Sequence, residues 1–288
     1  MNIAMNTVTI KQASFSDRLR LISEGGFPGV GLWIGEVEGY LKGSKAKPIK
    51  ELLEEYRLTP VEMQDSSYST STEKRPRPLH EWQYLDGPER KKTLADAKDF
   101  FLRFSKLGID CPVVAVATYE RVGEIKDAAK DFRDLCRLAD DFGVRVMLEF
   151  VGWSKQFHNL KPTWEVVSEA NCHNGGMLID TFHFVKAGST IEDLKQVSME
   201  KVFLVHIGDT KSLPLGNMEQ ARKFRFFPGE GEAPLKEIVA CFEEKGYKGF
   251  YCLEIFNEKY WIENPATVVS KGKQSLEALS ATVAKGSR

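Results

Sequence analysis

Four apolar runs in this sequence end in side chains that can bind a metal ion. Met177 to Ile179 runs into Asp180, with His183 three residues on; Val144 to Leu148 runs into Glu149, Val202 to Val205 into His206, and Phe250 to Leu253 into Glu254. A single acidic residue after such a run is ordinarily a helix cap. Four in succession, each on a segment that follows a helix-like stretch, point instead to parallel strands whose C-terminal ends share one rim.

Glu149, Asp180, His206 and Glu254 together supply three carboxylates and one imidazole. An oxygen-rich set with one nitrogen suits one divalent ion, Mn²⁺ or Mg²⁺ first, with Co²⁺ or Zn²⁺ as further fits. Three negative charges with nothing cationic among them would repel in a confined mouth, and a divalent cation would relieve that repulsion. A ketone chelated through neighbouring carbonyl and hydroxyl oxygens has its α-proton acidified. Glu149 and Glu254 come from strands three steps apart in a ring of eight. They can therefore face each other across a substrate, one removing a proton and the other returning it on the opposite face.

Further candidates surround that set. His183, expected on the loop after Asp180, would hydrogen-bond the substrate oxygen on which charge develops. Trp33, at the end of the second strand, would pack on a sugar face or serve as core. The long segment from Asp209 to Glu232 carries Arg222, Lys223 and Arg225 ahead of Pro228. A loop of that length is usually functional or disordered, so Arg225 reaches the substrate from a lid or belongs to a solvated charge run. His80, His158 and His173 read as surface or capping residues.

The elements that must position these groups alternate along the whole chain. Strands are expected at Val8 to Ile10, Val30 to Trp33, Thr59 to Gln64, Val113 to Ala117 and Val144 to Leu148, then in the three runs ending at Asp180, His206 and Glu254. Helices are expected at Ser14 to Glu24, Lys47 to Tyr56, from Thr93 to Gly108, from Ile125 to Phe142, from Ile191, between Pro234 and Gly246, and near Gln274 to Ala284. The segment from Asp65 to Leu79 reads as a loop, either a surface excursion or, because it would leave the catalytic rim, a wall of the pocket. Eight alternating units in 288 residues predict an α/β fold, a single (β/α)8 TIM barrel with parallel strands spanning residues 1–288 as one domain. No glycine-rich phosphate turn follows the first strand, which argues against an open Rossmann sheet.

Composition narrows the function classes. A net charge of -1 from 40 basic and 41 acidic residues creates no field favouring nucleic acid or an anionic membrane. Five cysteines without a CxxC motif read as reduced thiols. Neither a signal peptide nor a membrane span is expected, which predicts a cytoplasmic protein. The partner expected is a small polyhydroxy ketone, and a homo-oligomer is compatible with the sequence.

With these residues in hand, the chain resembles the sugar isomerase/epimerase group of xylose-isomerase-like TIM barrels. The resemblance rests on Leu148-Glu149-Phe150, Ile179-Asp180-Thr181-Phe182-His183, His206 with Asp209, Arg225-Phe226-Phe227-Pro228-Gly229-Glu230-Gly231, and Leu253-Glu254. It implies Glu149, Asp180, His206 and Glu254 as metal ligands, both glutamates doubling as acid/base groups, and His183 and Arg225 on the substrate. The group also holds dehydratases of keto-inositols and 3-dehydroshikimate, and the long stretch from Asp209 to Arg225 looks more like those members than like the ketose epimerases. Its abasic-site endonucleases use a three-zinc cluster that needs more histidines than the five present here. The function expected is a metal-dependent sugar isomerase/epimerase, with a metal-dependent dehydratase as the alternative and a non-catalytic sugar-binding barrel behind both.

Overall fold

The computed structural model describes residues 1–65, 79–80, 82–117, 120–211 and 218–286. Eight strands, β1 Asn2–Asn6, β2 Gly29–Trp33, β3 Thr59–Gln64, β4 Val113–Val116, β5 Val146–Glu149, β6 Gly175–Asp180, β7 Val202–Ile207 and β8 Phe250–Leu253, close into a barrel in sequence order. Every neighbouring pair is parallel, including β1 with β8. All C-terminal strand ends therefore lie on one rim, as the sequence predicts.

The surrounding helices are α1 Phe15–Glu24, α2 Ile34–Leu41, α3 Ile49–Glu55, α4 Gly87–Ser105, α5 Ile125–Asp140, α6 Leu160–Ala170, α7 Thr181–Lys186, α8 Ile191–Gln196, α9 Met218–Lys223, α10 Leu235–Glu244 and α11 Pro265–Gly286. Helix α5 shows why these segments pack as they do. Ala128, Ala129, Phe132, Leu135, Cys136 and Ala139 recur at helical spacing and are all buried, forming one stripe that faces the sheet. Thr190 and Asp193 make the capping box that opens α8, each side chain bonding the other's backbone N–H.

Three expectations are corrected. The first strand is Asn2–Asn6, and Val8 to Ile10 lies in a 3₁₀ turn, because the Asn6 side chain accepts from Val8 N–H and curls the chain inward. Helix α4 begins at Gly87 after Asp86 rather than at Thr93, with Pro88 in its first turn, where a missing N–H costs nothing. His183 lies in α7 rather than on a loop, because the Asp180 carboxylate accepts from Phe182 N–H and starts a helix directly at the strand end. The expected pocket wall from Asp65 to Leu79 lies largely outside the described residues. Among the described residues, no helix is long and apolar enough to cross a membrane, and the five cysteines are free thiols.

Candidate active site

Period-two alternation takes the barrel interior from apolar to polar as the strands rise. Met147, Leu178, Leu204 and Cys252 belong to the buried interior cluster. Two residues on from each stand Glu149, Asp180, His206 and Glu254, so all four aim into the same mouth. Asp180 and His206 are register partners on β6 and β7, and all four side chains are buried.

His206 is the centre of this group. Its Nδ1 lies 3.2 Å from Glu254 Oε2, 3.9 Å from Asp180 Oδ2 and 4.0 Å from Glu149 Oε1, so that nitrogen faces all three carboxylates. One atom each from Glu149, Asp180 and His206 lies within 4.8 Å of the others, a spacing that could hold a metal ion. Three carboxylates and an imidazole nitrogen converging on one point fit a hard or borderline divalent cation.

A cation is already present among these carboxylates, contrary to the expectation of an uncompensated acidic mouth. Arg225 is buried, and its Nη1 donates to Asp180 Oδ2 at 2.6 Å and lies 3.1 Å from Glu254 Oε2. Its Nε donates to Ala221 O at 2.9 Å, and the guanidinium lies between the rings of Phe182 and Phe256, 5.0 and 5.1 Å from their centroids. The arginine therefore contacts two of the carboxylates that the sequence singled out.

Burial and charge split the acids. Burial pushes the Glu149 carboxyl well above its ordinary range, reinforced by Glu254 and Asp180 and only partly opposed by His206 and Arg225. For Glu254 burial acts the same way, but His206 and Arg225 outweigh it and hold that carboxyl low. Asp180 is likewise held low, with Arg225 overcoming burial. Burial works against the His206 imidazolium, yet Glu254 and Glu62 raise it well above the usual histidine range.

His183 has the opposite character. Burial, aided by Arg225, brings it down to about 4, so the ring is neutral at physiological pH. Both Gly152 N–H, 3.3 Å from Nδ1, and Arg225 Nη2, 3.4 Å from Nε2, are donors, and a neutral ring accepts at only one of its two nitrogens. Nε2 also lies 4.0 Å from Asp180 Oδ2, and the ring packs edge-on against Trp153.

A cavity above these groups is lined by Trp33, Gln64, His80, Trp153 and Phe256, with Glu149, His183, Arg225 and Glu254. Of the candidate site residues, Trp33, Glu149, His183, Arg225 and Glu254 line this cavity, and Asp180 and His206 do not. Trp33 donates from Nε1 to Asn6 Oδ1 at 2.8 Å, which fixes its ring as a wall. His80, read from the sequence as a surface residue, faces the cavity, its Nε2 2.9 Å from Asp65 Oδ1.

Sequence reasoning also passed over Glu62 and Gln64. Gln64 Nε2 donates to Glu254 Oε1 at 2.6 Å, and Glu62 Oε2 lies 2.9 Å from His206 Nε2. The available signal was two polar residues spaced i, i+2 on a strand buried on both faces, which puts both into the barrel.

The long segment after β7 is stitched at its ends. Asp209 Oδ1 accepts from Thr210 and Ala233 N–H, and Oδ2 from Gly229 N–H. A Cβ at Gly231 would overlap the Asp209 carboxylate, so the Gly229–Gly231 turn needs that glycine. Asn257 Nδ2 donates to Arg225 O. These bonds anchor the backbone around Arg225; residues 212–217 of the expected lid lie outside the described residues.

Comparison with known proteins agrees with this architecture. The sequence profile of the xylose isomerase-like TIM barrel family matches residues 19–279. The inosose isomerase of Bacillus subtilis (strain 168) is 34% identical over 140 residues, covering 48% of this chain and 50% of that protein. A 3-dehydroshikimate dehydratase of Pseudomonas aeruginosa is 29% identical over 170 residues, 59% of this chain and 27% of that protein. The chain spans about half the length, or less, of these curated relatives. Among solved structures, that of IOLI protein with a binding zinc atom superposes with a TM-score of 0.83 at 23% identity over 99% of both chains, which shows a shared fold.

Proposed function

The chain belongs to the xylose isomerase-like TIM barrel family, and from that premise we propose that it is a divalent-metal-dependent isomerase of a polyhydroxy ketone, acting by proton abstraction next to the carbonyl. The observation that carries this reading is the convergence of Glu149, Asp180 and Glu254 on the Nδ1 side of His206. These four residues would hold the ion, with Mn²⁺ or Mg²⁺ the best match to the oxygen-rich set and Co²⁺ or Zn²⁺ compatible with it. When bound, such an ion supplies Lewis acidity to a carbonyl and its neighbouring hydroxyl, acidifying the hydrogen between them.

The protein's own groups then move the proton. Glu149 closes β5 and Glu254 follows β8, three strands around the barrel, so their carboxylates approach a substrate from different sides. One of the two removes the proton and the other returns it on the opposite face. His183 hydrogen-bonds the substrate oxygen that gains charge, Arg225 orients the substrate, and Trp33 offers its ring to the sugar's apolar face. Similarity to an inosose isomerase supports an inosose as the first substrate to test.

A second reading, a dehydratase of a cyclic polyhydroxy ketone, is favoured by one feature besides the dehydratase relative. His80, paired with Asp65 at the cavity, would give a further proton donor for a departing hydroxyl. NMR in D₂O with a Mg²⁺- or Zn²⁺-loaded sample separates the two. Deuterium entering beside the carbonyl of inosose without loss of water supports the isomerase; water loss from inosose or 3-dehydroshikimate supports the dehydratase. Neither reaction with any ketose, inosose or 3-dehydroshikimate would count against both.

A further inference from the structure

Below the three carboxylates lies a further buried acid. Glu62 is fully buried in the middle of β3, where a carboxylate is costly unless its oxygens are all engaged. They are: Oε1 accepts from Asn6 Nδ2 at 2.7 Å and from Cys252 Sγ at 3.9 Å, and Oε2 faces His206 Nε2 at 2.9 Å. The barrel makes room for it, since a Cβ on Gly31 would overlap Glu62 Oε1. Asn6 is itself held, accepting from Trp33 Nε1, so the carboxylate has one orientation.

Carboxylate acceptors take only a proton donor at Nε2, so the Nε2–H of His206 is committed downward whatever happens at the other ring nitrogen. Nδ1 then remains the nitrogen that points at Glu149, Asp180 and Glu254. Glu62, His206 and Cys252 are themselves spaced closely enough to hold an ion. However, the Glu62–His206 separation and angle are those of a hydrogen bond, and Ala4, Leu178 and Leu204 share the buried interior cluster with Cys252.

We infer that Glu62 is a positioning residue that fixes His206 to bind a divalent ion through Nδ1, making Asn6–Glu62–His206 the support beneath the metal centre. The inference rests on the ligand set proposed above. A ligating histidine whose other nitrogen donates to a carboxylate is held in orientation and made a stronger ligand, and losing such a partner typically costs about 10- to 100-fold in metal affinity.

The test uses the full chain and Zn²⁺ alone. Histidine ¹⁵N NMR of the zinc-loaded wild type should show His206 metallated at Nδ1 with a proton on Nε2, identified by the signal that disappears in His206→Gln. Competition titration with a zinc chelator should show Glu62→Gln weakened about 10- to 100-fold, with Glu62→Asp recovering part of the loss. Metallation at Nε2 in the wild type overturns the inference without any variant having to fold. A folded Glu62→Gln with wild-type zinc affinity beside a zinc-binding wild type also overturns it, leaving the ligand set intact. A wild type that binds no zinc overturns the ligand set and the inference together.

Discussion

Arg225 Nη1 donates to Asp180 Oδ2 at 2.6 Å, so a buried guanidinium contacts a carboxylate that would otherwise be left to a metal ion. Removing one member of a buried ion pair leaves the other uncompensated, at a cost of about 3–5 kcal/mol. Arg225→Ala should therefore lower the melting temperature in EDTA, and saturating Zn²⁺ should restore more stability to the variant than it adds to the wild type. Equal zinc stabilisation of the two proteins would mean that the arginine and the ion do not act on the same carboxylates.

Glu149→Gln and Glu254→Gln each keep an oxygen ligand but remove a basic carboxylate. Both should retain much of the bound metal while turnover falls about 10²- to 10⁴-fold. Solvent exchange of the substrate α-hydrogen should separate them, disappearing in the variant that has lost the base and persisting at a reduced level in the other. Near-normal turnover in both variants would remove the acid/base roles.

The strand-end residues were legible because barrel topology turns a local pattern into a shared location. An apolar run that stops at Glu149 or Asp180 says where its side chain must go once the strands are parallel. Glu62 was not legible in the same way, for it lies inside β3, where polar and apolar residues alternate as on any half-exposed strand; closure of the barrel buries both faces. Arg225 was visible as a charge but its partner was not, since the bonds from Asp209 and Asn257 that anchor the surrounding backbone join residues far apart in sequence. The first strand was misplaced because β-branched Val8, Thr9 and Ile10 look more strand-like than Asn2 to Asn6, while the Asn6 side chain ends the strand before they begin.

Gly31→Ala should act through Glu62. The added methyl would overlap Glu62 Oε1 and crowd Asn6 Nδ2 at 2.8 Å, and overpacking of this kind costs about 1–3 kcal/mol. Chemical denaturation should register that loss, and zinc affinity should fall along with it. A variant of unchanged stability and affinity would show that the carboxylate has room to shift.

Cys172 should be the most readily alkylated thiol. The hydrogen bond from Cys136 brings it down to about 7 against the opposing effect of burial, with Arg133 and Lys201 assisting, whereas burial raises Cys111, Cys241 and Cys252. The thiolate is the reactive form, so a lowered value means greater reactivity at neutral pH, with the rate climbing as pH rises through about 7. Iodoacetamide labelling followed by peptide mass spectrometry from pH 6 to 9 reads this directly; first labelling at Cys241 would contradict it.

Anomalous diffraction from crystals soaked in Mn²⁺ tests the central claim most directly. One strong peak is predicted in the barrel mouth, within about 2.0–2.3 Å of carboxylate oxygens of Glu149, Asp180 and Glu254 and of Nδ1 of His206, with Arg225 displaced from Asp180. A peak held by Glu62 and Cys252, or no peak in the mouth at saturating Mn²⁺, would contradict the account.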